Sequence, residues 1–275
     1  MTVPDTGRGP LSTVVRGGGP GLLLAHGGGG GTVDFAPFIG PLSRRFTVVL
    51  PHYPGVGATP RQTEPLDLDD LADRLVATAA DAGVHTFSVV AYSLGCPVSV
   101  RLAVRYPERV RSLVLMAGFA RPDSRLRLLV GVWRALAALG DRDLLARFVT
   151  ALITGEDRLN AQSRDAVRAR TEELARALPE ALDDHLDLVE RVDVRDDLAK
   201  VDVPTLVVAA RADQLATPRH SREIAAGIPG ARYVEVPGGH NLAEESADEV
   251  LGVLDGFLRP VSGRDDSRLP DTGAD

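Results

Sequence analysis

The sequence predicts an α/β fold, a mostly parallel β-sheet covered by helices on both sides, with an all-helical insertion. Three observations carry this expectation. Short apolar runs alternate with longer stretches of 3.6-residue periodicity, the rhythm of strands joined through helices. The runs are apolar at most positions, as strands buried on both faces are. One stretch, residues 121–200, has helical periodicity and no strand run.

Taken in order, residues 13–16 and 22–26 flank a Gly-rich turn and read as a hairpin. Runs at 46–50, 87–91, 112–116, 205–209 and 232–236 supply further strands. Helical patterns separate them at 68–82, after an Asp67 cap, and at 96–106, 221–228 and 248–258. Within the insertion, Leu126, Leu129, Val130, Trp133 and Ala137 fall on one helical stripe. Similar patterns follow at 143–154, 160–178 and 179–192. The expected division is therefore a core of 1–120 and 201–260, a helical cap of 121–200, and a flexible C-terminal tail of 261–275. Residues 1–10 and 260–275, rich in Pro, Gly, Asp and Ser, are expected to fray.

Composition narrows the function. With 44% hydrophobic and 25% charged residues, the chain reads as an ordinary globular protein. A net charge of -7 argues against a nucleic-acid partner, which needs a clustered basic excess. The single cysteine, Cys96, forms no intramolecular disulfide. Residues 1–9 lack the basic and apolar regions of a signal peptide, and the apolar stretches fall short of the roughly 20 residues that span a bilayer. The expectation is a cytoplasmic protein with no membrane partner.

The chemistry is concentrated in four places. In Ala91-Tyr92-Ser93-Leu94-Gly95-Cys96 an apolar strand runs into a tight turn and then a helix, which pushes Ser93 out of the sheet as an exposed nucleophile. The competing reading is a helix N-cap serine. His26 is followed by Gly27 to Gly31, a run open to reading as a linker, a phosphate cradle or a dinucleotide loop. It lacks the lysine of a phosphate loop. Glycines at the end of a buried strand let backbone N–H groups approach a substrate, so the expected oxyanion hole is the N–H of Leu94 with that of Gly28. Of six histidines, His240 follows the last strand through Pro237-Gly238-Gly239, at the sheet edge where Ser93 emerges, and is the expected base. His26, His52, His85, His185 and His220 have blander readings: packing under the glycine loop, a loop after a strand, the wrong strand end, the insertion, and the start of a surface helix. Asp213, on a loop past the 205–209 strand, is the expected partner of His240, with Asp123 a weaker rival. No His, Cys or Asp spacing suggests a metal site, and no cofactor is expected.

With the order Ser, Asp, His, these motifs make residues 12–260 resemble the α/β-hydrolase fold superfamily. The resemblance implies a helical cap after the strand that follows the elbow helix, and an active site between core and cap. Three features depart from the family pattern. Ala91 replaces the first elbow glycine, Cys96 stands where Gly or Ala is usual, and His52, Val56 and Thr59 replace common residues of the 51–59 loop. Leu129, Trp133, Phe148 and Leu152 are the expected pocket lining. The substrate expected is a small or medium ester, thioester or lactone, hydrolysed through an acyl-enzyme. The same triad could also serve acyl transfer, C–C cleavage or elimination in small-molecule biosynthesis, and the same fold could be a non-catalytic ligand receptor.

Overall fold

A computed structural model describes residues 9–179 and 181–262; the expected fraying of the first residues and the tail beyond 262 lie outside it. The described residues form a seven-stranded sheet: β1 (Thr13–Arg16), β2 (Gly21–Ala25), β3 (Thr47–Pro51), β4 (Phe87–Tyr92), β5 (Val110–Met116), β6 (Thr205–Ala210) and β7 (Arg232–Val236). The order is β1-β3-β2-β4-β5-β6-β7, with β1 antiparallel to β3 and every other pairing parallel.

The expected hairpin is not formed: β1 pairs with β3, Thr13 opposite Pro51, and never with β2. The reason is burial. All five residues of β2 are buried, so it needs neighbours on both sides and takes β3 and β4, whereas exposed β1 suits an edge. The glycines read as a hairpin turn instead pack on the chain before β3. A Cβ on Gly17, which has φ +83°, would lie 2.2 Å from the Ser43 carbonyl oxygen.

Helices cover both faces. Alternate residues of β2 belong to opposite cores: Leu22 and Leu24 pack with α1 (Ala36–Ser43) and α12 (Ala247–Ser262). Leu23 and Ala25 pack with α2 (Leu68–Asp81), α3 (Gly95–Arg105) and α10 (Pro218–Gly227). The Asp67 cap is present, its carboxylate accepting from the Asp69 and Asp70 amides.

Among the described residues, every element between β5 and β6 is a helix: α4 (Ser124–Ala138), α5 (Arg142–Ile153), α6 (Glu156–Ala161), α7 (Arg164–Ala177), α8 (Leu182–Arg191) and α9 (Arg195–Leu198). The pattern read at 160–178 is broken at Gln162, and α7 starts behind a Ser163 cap. One short helix follows β7, α11 (Leu242–Glu245). No helix among the described residues is long and apolar enough to cross a membrane.

Candidate active site

Ser93 sits between β4 and α3 with φ +53°, a left-handed conformation costly for a residue with a Cβ. Its amide donates to the Met116 carbonyl on β5 (3.0 Å), and its carbonyl accepts from the Cys96 amide (2.9 Å). The turn has no room behind it: a Cβ on Gly95 would lie 2.1 Å from the Ala25 carbonyl oxygen. Ala91 fits opposite Ala25 on the neighbouring strand, so the departure at the first elbow position is matched by a small partner. Cys96 is accommodated by another glycine, since a Cβ on Gly118 would fall 2.4 Å from Cys96 Sγ. Burial pushes the Cys96 thiol well up, leaving it a packing group rather than a nucleophile.

His240, four residues past the end of β7, places Nε2 3.0 Å from Ser93 Oγ and Nδ1 2.7 Å from Asp213 Oδ2. All three residues are buried. A carboxylate only accepts, so Nδ1 carries the hydrogen and Nε2 accepts from the serine hydroxyl. Asp213 is itself held: Oδ1 accepts from the Leu215 and Ala216 amides at 2.8 and 2.9 Å. Asp123 is elsewhere, capping α4 through the Leu126 amide, with its other oxygen 3.5 Å from His220 Nε2. His220, read as the start of a surface helix, is buried against it.

The glycine run faces the same point. The Gly27 amide donates to Asp34 Oδ2 (2.8 Å) and the Gly29 amide to His185 Nδ1 (2.9 Å), which leaves the Gly28 amide between two committed ones. A Cβ on Gly28 would lie 3.8 Å from Leu94 Cδ2, so the two expected oxyanion donors belong to facing segments. His26 packs beneath, its Nε2 accepting from the Tyr53 amide (2.9 Å); burial lowers its pKa to about 3.

Above Ser93 is a cavity of about 270 Å³, walled by Gly27–30, Ser93 and His240 on one side and by the inserted helices on the other. Of the four expected lining residues, Trp133 is in the wall; Leu129, Phe148 and Leu152 are not. On α4 the inward stripe is Leu126, Val130 and Trp133, with Leu129 turned to its flank. On α5, Val149 and Ile153 face the cavity, while Phe148 and Leu152, each about 100° around the helix, pack sideways. Phe148 supports Trp133 edge to face at 6.3 Å.

Sequence reading missed several contributors. Tyr92 OH donates to the His240 carbonyl (2.7 Å). Glu245 accepts from the Gly239 amide (3.0 Å) and from Gly155 of the inserted segment (3.1 Å), while the Asn241 amide donates to the Ile153 carbonyl (3.0 Å). Tyr92 had a legible signal, its place beside the nucleophile; the bonds of Glu245 to Gly155 and of His185 to Gly29 join residues remote in the chain. No group of three or more His, Cys, Asp or Glu side chains that could hold a metal occurs among the described residues.

The chain belongs to the alpha/beta hydrolase fold family, whose model matches residues 20–247. It is an enzyme of the hydrolase and esterase type. It is 31% identical over 263 residues to a pyrrolizixenacetamide deacetylase of Xenorhabdus hominickii, covering 94% of this chain and 98% of that one. It is 31% identical over 264 residues to a pimeloyl-(acyl-carrier protein) methyl ester esterase of Neisseria meningitidis, covering 90% and 81%. Among solved structures, an enol-lactonase from Burkholderia xenovorans LB400 superposes with a TM-score of 0.79 at 24% identity, over 90% of this chain and 96% of that one.

Proposed function

We propose that Ser93, His240 and Asp213 form a catalytic triad that hydrolyses a small or medium ester, thioester or lactone. The observation that carries this reading is the unbroken relay from Ser93 Oγ through His240 to Asp213, at 3.0 and 2.7 Å, on the floor of a largely apolar cavity. His240 Nε2 takes the hydroxyl proton as Ser93 Oγ attacks the acyl carbon, and the ring charge is balanced by Asp213. The oxyanion is held by the Gly28 and Leu94 amides, the latter at the N-terminus of α3, where the helix dipole favours negative charge. His240 then returns the proton to the leaving group and activates water to release the acyl group.

Residues 121–200 act as a cap that closes the cavity and limits acyl size, with Trp133 in its roof. Hydrolase relatives named for a deacetylase and a methyl ester esterase support acyl chemistry and leave the acyl group open. The test is turnover of p-nitrophenyl esters from acetate to decanoate, with a fluorophosphonate adduct mapped by mass. Labelling anywhere but Ser93, or no labelling, would overturn the assignment.

A further inference from the structure

The proposed triad leaves one group in the cavity without a task. Asp34 lies just after the glycine run and lines the cavity beside Ser93. The loop is shaped around its carboxylate: a Cβ on Gly30 would lie 1.9 Å from Asp34 Oδ2. A Cβ on Gly27 would lie 3.2 Å from both Asp34 Oδ2 and Ser93 Cβ, so the carboxylate and the nucleophile border the same small space. The other charged groups of the wall sit apart. Arg170 and Glu173 come from α7 and Glu244 from α11, and Arg170 pairs with Glu244.

A carboxylate offers about four acceptor positions. The protein supplies the Gly27 amide at 2.8 Å and a backbone contact from Gly31. Burial pushes the carboxyl up to about 6, against the pull of the Gly27 amide and of His240. At neutral pH the site therefore holds an under-solvated anion beside the reacting carbonyl. An apolar acyl chain packed against it would deepen that deficit, whereas a hydrogen-bond donor would relieve it.

We propose that Asp34 is a substrate-binding residue that accepts a hydrogen bond from an N–H or O–H group carried next to the scissile carbonyl. The preferred substrate is then a hydroxyacyl compound or a secondary amide, not a plain alkanoyl ester. This rests on Ser93 being the nucleophile.

Two matched pairs test it in the full-length protein. p-Nitrophenyl 2-hydroxybutanoate against its 2-methoxy analogue places the donor on the acyl side. 4-Nitroacetanilide against its N-methyl analogue places it on the leaving side. Wild type should favour the donor member of at least one pair by roughly 10- to 100-fold in kcat/KM, the range expected when an ionised acceptor is otherwise left unpaired. Asp34→Asn keeps an oxygen for the Gly27 amide but loses the second acceptor. It should bring that ratio close to unity by lowering the donor member more than the capped one. Asp34→Ser, small enough for the same cradle, provides the comparison if the Asn variant does not fold. Absence of preference in both wild-type pairs overturns the inference, and so does an equal loss on both members in the variants, which would make Asp34 a support of the glycine loop. Wild type that is not labelled at Ser93 by fluorophosphonate would sink the triad itself; labelling without preference sinks only the role of Asp34.

Discussion

At the scale of single residues, the relay and the elbow make sharp demands. Ser93→Ala should lower ester turnover about 10⁴-fold, because triad members act as a unit. Circular dichroism should be unchanged, and a variant with a tenth of the wild-type rate on every ester would reject the role. Asp213→Asn should also cost about 10⁴-fold, since an amide that donates to Nδ1 forces the wrong imidazole tautomer. Gly118→Ala probes the unusual elbow. The new methyl meets Cys96 and should cost about 1–3 kcal/mol, as other overpacked sites do. In a double-mutant cycle, Cys96→Gly should recover part of that loss; strict additivity would show that the two sites do not touch. Ser93, His240 and Asp213 were legible because each sits at the end of an apolar run, where strand periodicity fixes the sheet edge. Asp34 was not singled out, because its meaning depends on which glycines fold back over it.

At the scale of elements, periodicity located the helices well and their facing less well. Asp67, Asp141 and Ser163 cap α2, α5 and α7 through their side chains, the local chemistry that a sequence displays. Which of two adjacent stripes on α4 and α5 faces the cavity is decided by neighbouring helices, so Trp133 was legible while Leu129, Phe148 and Leu152 were misplaced. The β1 error has the same origin: strand partners are chosen by burial across the sheet, and nearness in the chain misled. Trp133→Ala should extend acceptance toward longer acyl chains by opening the roof, and should lower stability by about 3–5 kcal/mol through lost packing on Phe148. A p-nitrophenyl ester series gives the first effect and urea unfolding the second. An unchanged chain-length optimum would remove Trp133 from the roof.

At the scale of the whole molecule, buried imidazoles set the response to acid. Burial holds His26 at about 3 and lowers His185 and His52 below the ordinary histidine value of 6.5. As pH falls below about 6.5 the unfolded chain takes up protons that the folded protein refuses, so stability should decline. Asp34, raised to about 6, protonates first in the folded state and works the other way, one group against three. The urea midpoint should therefore be lower at pH 5 than at pH 7; a rise would show that Asp34 dominates.

The inserted helices bond to both loops of the proposed site. His185 of α8 accepts from Gly29 beside the expected oxyanion donor, and Ile153 and Gly155 bond to the backbone on either side of His240, directly and through Glu245. For anyone recombining this family, the segment is therefore not a cassette. A chimera that imports 124–198 from a relative without matching partners at positions 29, 239, 241 and 245 would inherit a new pocket and a misaligned base. Its losses would appear in the chemical step before they appeared in substrate choice.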